Sequence, residues 1–158
     1  QIFIKHFPSY SHIDSNPHSS SSSYIGSHEY LTKELKLFES LSSDIDGIMT
    51  SHLNLGISKT ILPFTFSNNQ VSKYFLENSA INKNALLITD DLSDMESVKD
   101  YMVRRNKTYG DIALEALVAG HDYLLFSHFG RKGGFDKYEL SKAIKHIASK
   151  ATKDKIFY

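Results

Sequence analysis

Short apolar runs, each closing on polar residues, recur along this chain at intervals of roughly 40 residues, with helix-like stretches between them. Gln1-Ile2-Phe3-Ile4 runs into Lys5-His6-Phe7-Pro8, and Asp46-Gly47-Ile48-Met49-Thr50 into Ser51-His52. Leu86-Leu87-Ile88-Thr89 stops at Asp90-Asp91, and Tyr123-Leu124-Leu125-Phe126 is the fourth run. Strands separated by helical crossovers pair in parallel with right-handed connections, so the pattern predicts βαβ units in an α/β fold. Four units make either a small open sheet or half of a (β/α)8 barrel of the TIM type, which takes about 250 residues.

The intervening stretches carry helix signals. Ser27 caps a predicted helix with Leu31, Leu35, Phe38 and Leu41 at helical spacing. Ser67-Asn68-Asn69-Gln70 and Ser93-Asp94-Met95-Glu96 have capping-box spacing, the first ahead of Val71, Tyr74 and Phe75 turned inward. Thr108 to Asp111 opens a helix over 112–119 that Gly120 stops, and a last helix runs from Phe135 to about Lys150 with Leu140, Ile144 and Ile147 on one face. Residues 9–23, with serines at 19–23, read as a mobile surface loop rather than a linker between domains.

With 158 residues, 41 % of them hydrophobic, the chain is one region able to bury a core. Its formal net charge is zero, so no polyanionic partner is implied. Arg131 to Lys155 carries eight Lys/Arg against three Asp/Glu, but no aromatic stacking motif accompanies them, which reads as a solvated helix face and not a nucleic-acid surface. No apolar run approaches the about 18 residues of a membrane span. Without cysteine there is neither a disulfide nor a thiolate nucleophile. The chain begins at Gln1, inside a strand-like run, so a preceding region is expected.

In a parallel α/β sheet the carboxyl ends of all strands lie on one side, which brings Lys5, His6, His52, Asp90 and Asp91 towards each other. A carboxylate converging with histidines and a lysine suits hydrolysis, group transfer or metal binding. The metal reading is the weaker, since no H-x-x-x-H or comparable spacing is present. Asp90 and Asp91 could equally punctuate a turn, and His12 and His18 could be ordinary solvated loop histidines.

In sequence the chain resembles the family 3 glycoside hydrolases, specifically the bacterial β-N-acetylglucosaminidases of the NagZ type that act in peptidoglycan recycling. The family's K-H-F-P-G-H-G is matched by Lys5-His6-Phe7-Pro8-Ser9-Tyr10-Ser11, and its D-S-H by Asn16-Pro17-His18 at equal spacing. V-M-T-A-H resembles Ile48-Met49-Thr50-Ser51-His52, and P-A-T-L-S resembles Pro63-Phe64-Thr65-Phe66-Ser67. S-D-D-L-S-M resembles Thr89 to Met95 with one extra residue, and A-G-x-D-x-L-L resembles Ala119 to Leu125.

The resemblance implies a retaining glycosidase on a (β/α)8 barrel, residues 1–158 supplying the C-terminal half. Asp90 would be the nucleophile and His18, on a loop, the general acid/base. Lys5 and His6 would bind sugar hydroxyls, with His52 near them as a supporting or binding residue, and Asp91 would orient its neighbours. Neither metal nor organic cofactor is implied. The partners would be an N-acetylglucosamine-containing carbohydrate and the missing N-terminal half of the barrel, in the same or another chain; the location would be cytoplasmic.

Three departures qualify this. The family's Asp two residues before the catalytic His is Asn16 here, with Asp14 the nearest substitute. Ser9-Tyr10-Ser11 replaces Gly-His-Gly, removing two residues that tolerate positive φ. The family's sugar-binding Asp and Arg from the first half have no counterpart. A catalytically impaired homologue, kept as a sugar-binding or protein-interaction scaffold, is therefore the alternative. An unrelated four-unit α/β binding domain would make the motif series a coincidence. A half-barrel alone would also expose apolar strand edges and helix faces.

Overall fold

The computed structural model describes residues 1–56, 62–82, 84–127 and 135–154. Four strands, β1 (Phe3–Phe7), β2 (Gly47–Thr50), β3 (Leu86–Asp91) and β4 (Tyr123–Leu125), form one parallel sheet in chain order. Helix α1 (His28–Leu41) connects β1 to β2, and α2 (Asn68–Val71), which widens into a π-helical turn over Ser72–Leu76, connects β2 to β3. Helices α3 (Glu96–Arg105) and α4 (Tyr109–Ala119) precede β4, and α5 (Lys137–Asp154) follows it. The expected α/β alternation is present, and it is parallel throughout.

Residues aligned across parallel strands point to the same face. Ile4, Ile48 and Leu87 form one such row, and its central members Ile48 and Leu87 are fully buried against Leu31, Leu35, Phe64 and Phe75. The rows on either side point the other way. They hold Phe3 and Tyr123, 40 % and 56 % exposed, with Met49 and Ile88 partly buried between them. Gly47 sits in this second face because a Cβ there would lie 2.2 Å from the Phe3 ring. Helices thus cover one face of the sheet, while the other stays half exposed, as in an incomplete barrel.

The capping signals divide. Ser27 Oγ accepts from the Tyr30 amide, and Thr108 and Asp111 make a reciprocal capping box at α4. Ser93, expected to cap a helix directly, donates both its amide and its hydroxyl to Asp91 Oδ1 instead, and α3 starts later, behind Met95. Ser67 precedes α2 without a side-chain cap.

Two apolar faces also differ from expectation. Leu41 is half exposed at the last turn of α1. On α5, Leu140 and Ile144 are exposed, whereas Ala143 is buried. The reason is close approach: a Cβ on Gly110 of α4 would lie 2.9 Å from His146 Cβ, so α5 docks on its Ala143–His146 side.

Candidate functional site

Both strands that end in site residues are bulged there. Lys5 pairs with Met49 and Phe7 with Thr50, leaving His6 as the extra residue of β1. Ile88 pairs with Tyr123 and Asp91 with Leu125, so β3 has its extra residue at Thr89–Asp90. A bulge re-aims a side chain and increases local twist. Lys5, His6, Asp90 and Asp91 therefore lie within the last residues of their strands and not beyond them, as the apolar pattern had suggested.

His6 Nε2 comes within 3.6 Å of Asp90 Oδ2, with both side chains mostly buried. Burial lowers the His6 pKa below the usual histidine value; the Asp90 carboxylate opposes this, while Lys5 and His18 reinforce it. At neutral pH the pair is consequently a neutral imidazole beside a carboxylate, not a salt bridge. Lys5 itself is exposed, close enough for its charge to act on His6.

His52 is 1 % exposed. Its Nδ1 lies 2.8 Å from Thr65 Oγ1 and its Nε2 3.1 Å from the Asp91 carbonyl, while its ring stacks on Phe66. A carbonyl only accepts, so Nε2 carries a proton and donates it there. Burial lowers the His52 pKa, against the pull of Asp90 and Asp91. His52 is thus packed beneath the β3 terminus, with almost none of its surface open. Behind it, Thr50 Oγ1 lies 2.8 Å from His121 Nε2, and His121 Nδ1 lies 2.9 Å from the Ala116 carbonyl.

Asp91 is buried and accepts from the Ser93 amide and hydroxyl and from the Ser127 amide and hydroxyl. That ties the end of β3 to the residues after β4. Asp90, by contrast, keeps its side chain 15 % exposed and turned to an open cleft of about 250 Å3 that His18, Met95 and Ser127 also line.

The serine-rich stretch is not a featureless loop. Ile13 and Tyr24 form an antiparallel bridge; Ser15 and Ser22 bond across the stretch, and Ser21 Oγ donates to Asp100 Oδ2 of α3 at 2.6 Å. Asn16 Oδ1 accepts from the His18 amide at 3.0 Å and lies 3.0 Å from His18 Nδ1. The amide can only donate, which identifies the Asn16 atom as oxygen; His18 Nδ1 must then be protonated, and Nε2 is left as the basic nitrogen. Asp14 does not substitute for Asn16, because its Oδ1 accepts from the Ser23 amide and the Ser15 hydroxyl at the base of the loop.

The replacement of Gly-His-Gly costs no strain at Ser9, Tyr10 or Ser11: the positive φ falls on His12, at 49°. Ser9 Oγ accepts from the Ser11 amide at 2.7 Å and turns Tyr10 inward. The Tyr10 ring packs on His6 with centroids 4.9 Å apart, and its hydroxyl accepts from the His52 amide at 2.9 Å. Tyr10 is the site residue that sequence reasoning passed over, having read it only as a lost motif position. Among the described residues no group of three or more His, Asp or Glu side chains is placed to hold a metal ion.

No family model matches the sequence, and no curated protein matches it. Solved structures do. A glycosyl hydrolase of the GH3 family from Mycobacterium smegmatis superposes with a TM-score of 0.76 at 18 % identity, over 97 % of this chain and 44 % of its own. A glycoside hydrolase family 3 β-N-acetylglucosaminidase from Paenibacillus gives 0.72 at 23 %, over 98 % and 28 %, and a β-N-acetylhexosaminidase from Beutenbergia cavernae gives 0.69 at 21 %, over 96 % and 41 %. The chain spans less than half the length of each of these proteins. Over almost all of its own length, its fold is that of part of a glycoside hydrolase family 3 barrel.

Proposed function

We propose that this chain is the C-terminal half of a family 3 barrel that removes terminal β-linked N-acetylglucosamine by double displacement, of the kind used in peptidoglycan recycling. The observation that carries the reading is Asp90: a carboxylate at the bulged end of a buried strand, open to a cleft that His18 also lines. Asp90 attacks the anomeric carbon as the glycosidic C–O bond breaks, forming a glycosyl ester. His18 Nε2 protonates the leaving oxygen, then takes a proton from the water that cleaves the ester. Lys5 and the neutral His6 bind sugar hydroxyls, and His52 with Asp91 fixes the end of β3.

The half-exposed sheet face carrying Phe3, Met49, Ile88 and Tyr123 supports a complement: the other half of the barrel, from the same or another chain. No described helix is long and apolar enough to cross a membrane, and the cytoplasmic placement is part of this proposal. Asn16 favours the second reading, an impaired barrel kept for recognition, because its amide orients His18 without supplying a charge to stabilise the imidazolium.

The test is hydrolysis of an aryl N-acetyl-β-glucosaminide by the complete barrel, wild type beside Asp90→Asn. Turnover lost in the variant supports the nucleophile; substantial turnover retained removes Asp90 from that role. Sugar bound without turnover by the wild type establishes the second reading.

A further inference from the structure

The loop that carries His18 is a closed unit, tied across its neck and again at its tip. At the neck the Ser22 hydroxyl donates to the Ser15 carbonyl at 2.8 Å, and the Asp14 amide to the Ser23 carbonyl at 3.1 Å. At the tip the Asn16 carbonyl accepts from the Ser19 and Ser20 amides, both at 3.0 Å, while the Asn16 side chain holds His18. A unit bonded in this way moves as a body. Where His18 lies is then set by how the loop is attached to the rest of the protein.

On one side the attachment is backbone to backbone. The Asn54 amide donates to the Ser22 carbonyl at 3.0 Å, and the Asn54 carbonyl accepts from the Tyr24 amide at 2.8 Å. That is a strand-like edge about which the loop can swing. On the other side Ser21 Oγ donates to Asp100 Oδ2 of α3 at 2.6 Å, the short length of a charge-assisted bond. Arg104 Nη2, one turn further along α3, lies 3.4 Å from the same oxygen. Ser21 and Ser22 also share a cavity of about 10 Å3 with Ser97, Tyr101 and Arg104 of α3, and Ser22 is buried. The loop is thus seated on that helix.

The residues just before α3, Asp94 and Met95, line the cleft together with Asp90 and His18. Asp100 therefore ties the His18 loop to the same βα unit that presents Asp90. We propose that Asp100 is a positioning residue: by latching Ser21 it holds His18 over the cleft, within reach of the leaving oxygen. The role given to His18 rests on the glycosidase reading, whereas the latch is measurable without turnover.

The experiment compares the complete protein as wild type, Ser21→Ala, Asp100→Ala and the double variant. It reads amide hydrogen exchange over residues 15–22, and kcat/KM on dinitrophenyl and phenyl N-acetyl-β-glucosaminides. Loss of the charge-assisted bond speeds exchange of the Ser19 and Ser20 amides about tenfold in either single variant. The double variant is no faster, because both substitutions remove the same bond. kcat/KM reports the step that breaks the glycosidic bond. Dinitrophenolate leaves without being protonated, so its kcat/KM stays within about twofold of wild type; phenolate needs the acid, and its kcat/KM falls about tenfold. A general weakening of the fold would lower both alike.

Unchanged exchange in Ser21→Ala, or additive effects in the double variant, overturns the latch. Equal losses on both glycosides overturn the positioning of His18. Should Asp100→Ala fail to fold, Ser21→Ala decides alone on the same readouts, since it leaves Arg104 and Asp100 paired. Failure of the glycosidase reading is seen separately, as wild-type protein that hydrolyses neither glycoside while exchange in the variants still accelerates.

Discussion

His121 gives this fold a built-in acid sensitivity whose size follows from its surroundings. The ring is 4 % exposed, with Thr50 Oγ1 against Nε2 and the Ala116 carbonyl against Nδ1. The carbonyl requires a proton on Nδ1, which leaves Nε2 as an acceptor for the Thr50 hydroxyl. A second proton would have to enter a buried site and break that bond. Burial accordingly lowers the pKa from 6.5 to about 4, with the Ala116 carbonyl opposing and His52 adding slightly.

A folded-state pKa below the unfolded one means that stability is complete above pH 6.5 and drains away as pH falls towards 4, because the unfolded chain binds the proton first. The full span, about 2.5 units at about 1.4 kcal/mol each, amounts to about 3 kcal/mol, of which about 2 kcal/mol is lost between pH 7.5 and pH 5.0. The perturbation is His121→Gln, which keeps a neutral polar side chain. The assay is urea unfolding of wild type and variant at pH 7.5, 6.0 and 5.0. His6 and His52, whose pKa values are also lowered, contribute a slope of the same sign to both proteins. The difference between the two proteins therefore isolates His121. The variant starts less stable at pH 7.5 and loses about 2 kcal/mol less than wild type on going to pH 5.0. Parallel losses, within about 0.5 kcal/mol, would refute the assignment of a neutral, buried His121.

Two other perturbations separate site chemistry from fold. Asn16→Asp puts a negative charge 3.0 Å from His18 Nδ1 and raises kcat by favouring the imidazolium, with the basic limb of the pH–rate profile moving to higher pH; an unchanged kcat and profile counts against the Asn16–His18 pair. Gly120→Ala forces an L-residue to φ 116° and brings a Cβ to 3.1 Å from Leu76 Cδ1, costing about 1–3 kcal/mol in thermal or urea unfolding, and a neutral result would mean that the α4 terminus relaxes freely.

The readings that held came from local rules, and the residues that misled did so for want of a partner far along the chain. The capping box at Thr108 formed as read because both members lie within one turn. The one at Ser93 did not, because Asp91 captured the serine, and Asp91 is held in turn by Ser127 from the far side of β4. His52 was visible as a polar residue after a strand; that it is buried beneath the end of β3 depends on Thr65, thirteen residues away, and on the Asp91 carbonyl, thirty-nine away. Tyr10 carried no signal of its own, since an aromatic in a loop has no periodicity to betray where it docks.

By itself, then, the sequence determined the order and type of elements, the parallel sheet and the gathering of Lys5, His6, Asp90 and Asp91 at one end of it. Those follow from hydrophobic spacing, from turn residues and from the handedness of βαβ units, all properties of contiguous chain. Only the tertiary structure decided which residues are bulged, which histidine is buried and which is open, and which face of α5 meets α4. Each of these is a competition for the same hydrogen bond or the same volume among groups tens of residues apart, and its outcome exists only once they are packed together.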